Sequence, residues 1–98
     1  MNGFFVFFNT ENKANANEID SVMRNFHRWA KLQDCAWFCC SNSLASEVRD
    51  SITDQLKQRN IENIPILVIN VTDCGWATFK IPKNLTNWMR DRLKSDAS

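Results

Sequence analysis

The polar residues that could carry chemistry in this chain follow its first apolar run. Residues 3–8 read Gly-Phe-Phe-Val-Phe-Phe, and Asn9 and Glu11 come just after them. A short, unbroken apolar run predicts a strand buried on both faces, and the carboxyl end of such a strand commonly delivers a residue to a functional site. Asn9 is an amide and cannot act as an acid or a base. Asn9 and Glu11 are therefore only weak catalytic candidates.

An apolar stripe at helical spacing predicts the first helix of the chain. Its members are Ile19, Val22, Met23 and Phe26. Asn15, with Glu18 three residues later, is one candidate N-cap of this helix, and Asn17 is the competing candidate. Residues 29–32 read Trp-Ala-Lys-Leu, which suits either an extension of the helix or a short strand.

Basic residues on another side of this helix are the second group that could carry a function. Arg24, Arg28 and Lys31 are spaced at i, i+4 and i+7, and the set shrinks to Arg24 and Arg28 if the short strand forms instead. They form either a solvated face, which is the more common outcome, or a ridge that contacts nucleic-acid phosphates. Arg90 and Arg92, in the last predicted helix, are further candidates for phosphate contact.

The cysteines and the single histidine match no familiar metal or catalytic pattern. Cys35, Cys39, Cys40 and Cys74 include no C-x-x-C pair, and His27 is the only histidine, so we expect no metal site and no cofactor. Neighbouring residues on a strand point to opposite sides, which disfavours a redox pair at Cys39 and Cys40. Reduced cysteines buried in a strand are the better interpretation. Ser-His-Asp, P-loop and Rossmann patterns are also missing.

Length and charge limit the class of protein. The 98 residues predict one domain, and a net charge of +1 means that the whole molecule has no strong non-specific attraction to nucleic acid or membrane. No apolar run approaches the roughly 20 residues of a spanning helix. The N-terminus lacks the basic region of a secretory signal. We therefore expect a cytoplasmic protein that does not associate with a membrane.

The order of the predicted elements indicates the fold. After the first helix come a strand at 35–41, a helix at 44–59 with Ser43 as its N-cap, strands at 66–71 and 76–81, and a helix that begins at Pro82. This order predicts an α+β fold, a ferredoxin-like βαββαβ sandwich with an additional C-terminal strand and helix. Two helices cannot cover both faces of a sheet whose strands are apolar on both sides. We therefore predict a homodimer in which a second subunit covers the other face.

The chain also resembles a family, the small SinR-like proteins, which are similar in turn to the Cas-two subunit of CRISPR adaptation and to the VapD toxins. The residues that carry the resemblance are the apolar first strand, Cys35 to Phe38, Glu47 to Asp50, Gly75 to Ala77 and Trp88. The resemblance covers most of the chain. It implies a ferredoxin-like fold, a dimer joined sheet to sheet, and work on nucleic acids.

In the nuclease members of that group, the resemblance implies an Asp at the end of the first strand that holds a divalent metal with its twin across the dimer axis. Hard cations prefer charged oxygen ligands, whereas this chain has Asn9 at the matching position. Glu11 is the nearby carboxylate that could substitute. The favoured reading is a non-catalytic homodimer that binds DNA, RNA or a protein partner, in a defence or mobile-element context. The alternative is a metal-dependent endoribonuclease that uses Mg²⁺.

Overall fold

The computed structural model describes residues 1–72 and 87–88. The elements are β1 (Asn2–Phe8), α1 (Lys13–Met23), β2 (Arg28–Gln33), β3 (Ala36–Ser41), α2 (Ala45–Gln58) and β4 (Ile66–Asn70). The described part of the chain is an α+β fold with one four-stranded antiparallel sheet and two helices. The predicted strand at 76–81 and most of the predicted helix from Pro82 lie outside the described residues, as do Cys74, Arg90 and Arg92.

The strand order of the sheet is β2-β3-β1-β4, and every neighbouring pair is antiparallel. The register places Phe5 of β1 opposite Phe38 of β3 on one side and opposite Ile69 of β4 on the other. Each helix connects two strands that are separated by one other strand. α1 joins β1 to β2 across β3, and α2 joins β3 to β4 across β1.

The main core lies between one face of the sheet and the two helices. Its members are Phe4, Val6 and Phe8 of β1, Trp37 and Cys39 of β3, Ile19, Val22 and Met23 of α1, Val48, Ile52 and Leu56 of α2, and Ile61. β1 and β3 each contribute alternate residues, because successive strand side chains point to opposite faces. Each fully buried large side chain stabilises the fold by about 1.5–3 kcal/mol.

The opposite side of the sheet, which we call the open face, is also apolar, as the sequence predicts. Phe38, Cys40 and Val71 form a second buried cluster there, with Phe5, Leu32 and Trp88 packed against it. Trp88 is helical, and its ring contacts the Phe38 ring edge to face at a centroid distance of 5.3 Å. Cys39 and Cys40 belong to different clusters, which confirms that these neighbours point to opposite sides. Trp88 therefore covers the β3 part of the open face within its own chain.

The N-cap of α1 is Asn12, so the predicted caps Asn15 and Asn17 are wrong. The Asn12 Oδ1 accepts hydrogen bonds from the backbone N–H of Ala14 at 2.9 Å and of Asn15 at 3.2 Å. Asn12 itself has an extended backbone, with φ −78° and ψ 114°. Three asparagines compete within six residues, and the first of them captures two free N–H groups of the helix. The helix consequently begins nearly one turn earlier than predicted.

Replacing Asn12 with Ala should lower the free energy of unfolding by about 0.5–2 kcal/mol, because two N–H groups at the start of α1 lose their acceptor. Urea unfolding followed by circular dichroism measures the effect. Asn17→Ala is the matched control, since Asn17 is exposed inside α1 and Ala is the better helix former there. A larger loss for Asn17→Ala than for Asn12→Ala would contradict the assignment of the cap.

Residues 28–33 form a strand, which settles the sequence ambiguity at Trp29 to Leu32. β2 pairs antiparallel with β3, with Trp29 opposite Cys39 and a bulge between Lys31 and Gln33. α1 ends at Met23, and Phe26 packs against the main core from the following loop. Residues 29–32 form a strand although their local sequence also suits a helix, because β2 gains backbone hydrogen bonds by pairing with the apolar strand β3.

α2 starts at Ala45, and its N-cap is Leu44 instead of the predicted Ser43. A leucine side chain offers no hydrogen-bond acceptor. The Glu47 Oε1 instead accepts a hydrogen bond from the Leu44 N–H at 2.8 Å, and this carboxylate also complements the helix dipole.

Candidate functional site

Asn9 and Glu11 lie at the end of the sheet where β1 ends and β4 begins. The Asn9 N–H donates a hydrogen bond to the carbonyl oxygen of Pro65 at 3.1 Å. Both side chains are exposed. Pro65 directly precedes β4, where its missing N–H costs no sheet hydrogen bond, and its carbonyl fixes the position at which β1 ends.

A shallow pocket of about 250 Å³ lies beside Glu11, between the start of α1 and the turn that joins β2 to β3. Three carboxylates line it, those of Glu11, Asp20 and Asp34. The Lys31 Nζ lies 3.1 Å from the Asp20 carboxylate and 3.6 Å from that of Asp34. The lysine is therefore already ion-paired with two of the three acids in this pocket.

The donor set near Asn9 fits a divalent metal poorly within one chain. In the part of the chain that the structure describes, no three His, Cys, Asp or Glu side chains come together as ligands. Asn9 offers one neutral oxygen and Glu11 one carboxylate, whereas hard cations take several charged oxygens.

The predicted basic ridge does not exist as a helical feature, because α1 ends at Met23. Arg24 is the C-cap of α1, whereas Arg28 and Lys31 lie on β2. Arg28 is opposite Cys40, which in turn is opposite Gly3, so Arg28 lies at the other end of the sheet from Asn9. Lys31 is ion-paired with two carboxylates, so it is the weakest candidate for phosphate contact among Arg24, Arg28 and Lys31. The catalytic and the basic candidates are thus separated within one chain.

Arg24 instead contacts an aromatic side chain that sequence analysis passed over. Its guanidinium carbon lies 5.6 Å from the ring centroid of Trp29, a cation–π contact. The Trp29 ring packs against the ring of the buried Trp37, with 5.6 Å between the two centroids, and Trp29 is itself 38% exposed. The sequence places Trp29 among basic residues. This signal could not be recognised while residues 29–32 suited both a helix and a strand.

An exposed apolar patch occupies the β1–β4 side of the open face. Phe7 is 37% exposed, Leu67 56% and Ile69 39%. The register pairs Phe7 with Leu67 and Phe5 with Ile69, so these side chains are contiguous on one face. We call Phe7, Leu67 and Ile69 the β1–β4 patch. Its β4 members follow from the alternation of the strand, and sequence analysis did not single them out.

The described cysteines, Cys35, Cys39 and Cys40, are not in disulfide bonds. Burial raises the pKa of the Cys39 thiol from 9.0 to about 12, and the neighbouring Cys40 adds a smaller effect in the same direction. Cys35 lies in the turn before β3, with φ at 62°, and is half-buried instead of lying within the strand. Cys39 is therefore a thiol that resists ionisation, which makes it a poor nucleophile.

A comparison of the chain with protein-family models, curated proteins and solved structures finds no match. Within the described residues, neither helix is both long and apolar enough to cross a bilayer.

Proposed function

We propose that the chain is a non-catalytic homodimeric module that binds nucleic acid, with a ferredoxin-like fold. The observation that carries the proposal is the β1–β4 patch, an uncharged apolar surface on the sheet face opposite α1 and α2. We also propose that the protein resides in the cytoplasm.

The fold half of the proposal is supported by the order of elements and strands. The described chain runs strand, helix, strand, strand, helix, strand, and each helix crosses over one intervening strand. A ferredoxin-like sandwich has this βαββαβ order. The additional C-terminal strand and helix of the sequence prediction remain part of the proposal.

A second copy is the partner that best suits the patch. Soluble monomers rarely expose contiguous large apolar side chains, and a two-fold dimer requires a surface that is complementary to itself. Phe7, Leu67 and Ile69 carry no charge, so two copies can meet without repulsion or an unpaired ion. β4 is an edge among the described strands and contains no charged residue that would protect it from pairing.

Nucleic acid is the ligand proposed for the surface outside the dimer contact. Arg24 and Arg28 are exposed, and among the described residues neither has a carboxylate partner within ion-pair distance. Arg49 and Arg59, by contrast, are paired with Asp50 and Glu18. Unpaired arginines can exchange their counterions for phosphates.

Titration of fluorescent oligonucleotides at several salt concentrations tests the nucleic-acid half. We expect binding whose affinity falls steeply as salt rises, because each phosphate contact releases a condensed counterion. Binding should not require Mg²⁺ and should persist in EDTA. Salt-insensitive or absent binding to both single strands and duplexes would remove nucleic acid as the ligand and leave a protein partner.

The second candidate function is a metal-dependent endoribonuclease of the type that the sequence resemblance implies. The specific observation in its favour is the position of the Glu11 carboxylate in a pocket beside the end of β1. A dimer that brought two such carboxylates together could hold Mg²⁺, which would polarise a phosphate and activate a water.

Incubation of the wild-type chain with RNA and Mg²⁺ or Mn²⁺ decides between the two functions. We expect no metal-dependent cleavage, and no change in Asn9→Ala or Glu11→Gln, because no group of metal-ligating side chains surrounds these positions in the described chain. Metal-dependent cleavage that falls a hundredfold or so in Glu11→Gln would establish the nuclease instead.

A further inference from the structure

We infer that the corner between α1 and β2 is a stacking site for an unpaired base of a single-stranded nucleic acid. The α1–β2 corner is defined by Arg24, the C-cap of α1, and by Trp29 of β2. The inference rests on the proposed function, because it names the class of nucleic acid and the residue that would distinguish it.

Trp29 has the exposure and the support that a stacking platform needs. Its side chain is 38% exposed on β2, an edge among the described strands. On the inner side it contacts the fully buried Trp37, with the two ring planes tilted by 56°. Trp37 belongs to the main core, so the side chain that supports Trp29 is held in place by core packing. Stacking on a preset aromatic ring binds any base, since every base has a π face.

The cation at the Trp29 ring is available for a phosphate. Arg24 covers this ring through its guanidinium and is exposed, whereas Arg28 lies next to Trp29 in β2 but on the opposite face of the sheet. The acid one turn before Arg24 on α1 is Asp20, and Lys31 already binds it at 3.1 Å. A base that stacks on Trp29 would displace the Arg24 guanidinium, which is then free to bind the phosphate next to that base.

The arrangement favours an unpaired base over a duplex. Bases within a duplex are stacked on one another, and their faces are closed to a protein side chain. Arginines alone bind the phosphates of duplexes and single strands alike in kind and do not select an unpaired base. Trp29 adds a contact that only a single strand can use. The alternative role of Trp29 is purely structural. Its ring, held in place by Arg24, would then shield Trp37 from solvent.

Fluorescence anisotropy with the full chain separates these roles. The probes are unstructured oligo-dT and oligo-U of about 12 nucleotides, and a DNA duplex of the same length. Trp29→Leu removes the π face and keeps an apolar cover over Trp37, while Trp29→Phe keeps an aromatic face. Arg24→Gln removes the neighbouring cation. Arg49→Gln is the matched control, because Arg49 is an exposed arginine on α2 that already pairs with Asp50.

We expect Trp29→Leu to weaken single-strand binding about 5- to 100-fold and to leave duplex binding unchanged, with Trp29→Phe close to wild type. Arg24→Gln should lower the salt slope by about one, and Arg49→Gln should leave it unchanged. Thermal unfolding of each variant verifies that it is folded.

Two results would overturn the inference in distinguishable ways. Equal binding of single strand and duplex, unaffected by Trp29→Leu but weakened by Arg24→Gln, would refute base stacking and leave the proposed function intact. No salt-sensitive binding to any probe by the wild-type chain would remove nucleic-acid binding altogether.

Discussion

The Leu67→Glu variant is expected to be a folded monomer. Leu67 is 56% exposed in the single chain, so the substitution should change the free energy of unfolding of one chain by no more than about 0.5 kcal/mol. In the proposed dimer the same position is covered by a second copy. A carboxylate without a partner at that contact costs several kcal/mol, which raises the dissociation constant more than a hundredfold. Sedimentation velocity across a range of protein concentrations measures the change.

Leu44→Glu is the matched control for this experiment. Leu44 is 66% exposed, and it lies at the start of α2 instead of on the open face. The chemical change is identical, and a carboxylate near a helix N-terminus is tolerated. We expect Leu44→Glu to dimerise like the wild type. Dissociation by Leu44→Glu, or a dimer that survives Leu67→Glu, would remove the β1–β4 patch from the account.

Alkaline conditions are expected to destabilise the fold through Cys39. The pKa of the Cys39 thiol rises from 9.0 to about 12 in the folded chain, mainly by burial. The folded state therefore binds the thiol proton more tightly than the unfolded state. The stabilisation is fully present below pH 9 and is lost as the pH rises toward about 12. A shift of this size corresponds to about 4 kcal/mol at most.

Chemical unfolding of the wild type and of Cys39→Ala at a series of alkaline pH values isolates the contribution of this thiol. Cys39→Ala should be less stable at neutral pH, because it leaves a small cavity in the main core, to which Cys39 belongs. The stability difference between the two proteins should then shrink as the pH rises above 9, since only the wild type has the thiol to ionise. Parallel pH profiles would show that burial of Cys39 does not oppose its ionisation.

The positions of the buried strands could be predicted from the sequence, because the pattern of apolar residues in them has one interpretation. Phe4 and Val6 on one side, with Phe5 and Phe7 on the other, leave no polar face that could be turned to solvent. The same holds for Trp37 and its neighbours in β3. A period of two assigns such residues to faces without knowledge of the fold.

The start of α1 and the nature of β2 could not be predicted for two different reasons. Asn12, Asn15 and Asn17 have the same capping chemistry, and local sequence does not decide which one binds the free N–H groups. Residues 29–32 can form either a helix or a strand. Their conformation is decided by pairing with β3, a contact with a strand that follows in the chain.

The candidate surfaces depended on the same nonlocal information. Once β2 is a strand, Arg24 and Arg28 no longer share a helix face, and Trp29 becomes the partner of Arg24. Lys31 turns toward Asp20 and leaves the basic group. Leu67 and Ile69 are recognisable as strand residues, but their exposure follows only from where the helices and Trp88 lie.

The molar mass of the wild-type chain in solution tests the central claim most directly. Sedimentation equilibrium at several protein concentrations gives this mass independently of molecular shape. We expect twice the 11.4 kDa mass of one chain, because two open faces bury their β1–β4 patches against each other. A mass of 11.4 kDa at every concentration would contradict it.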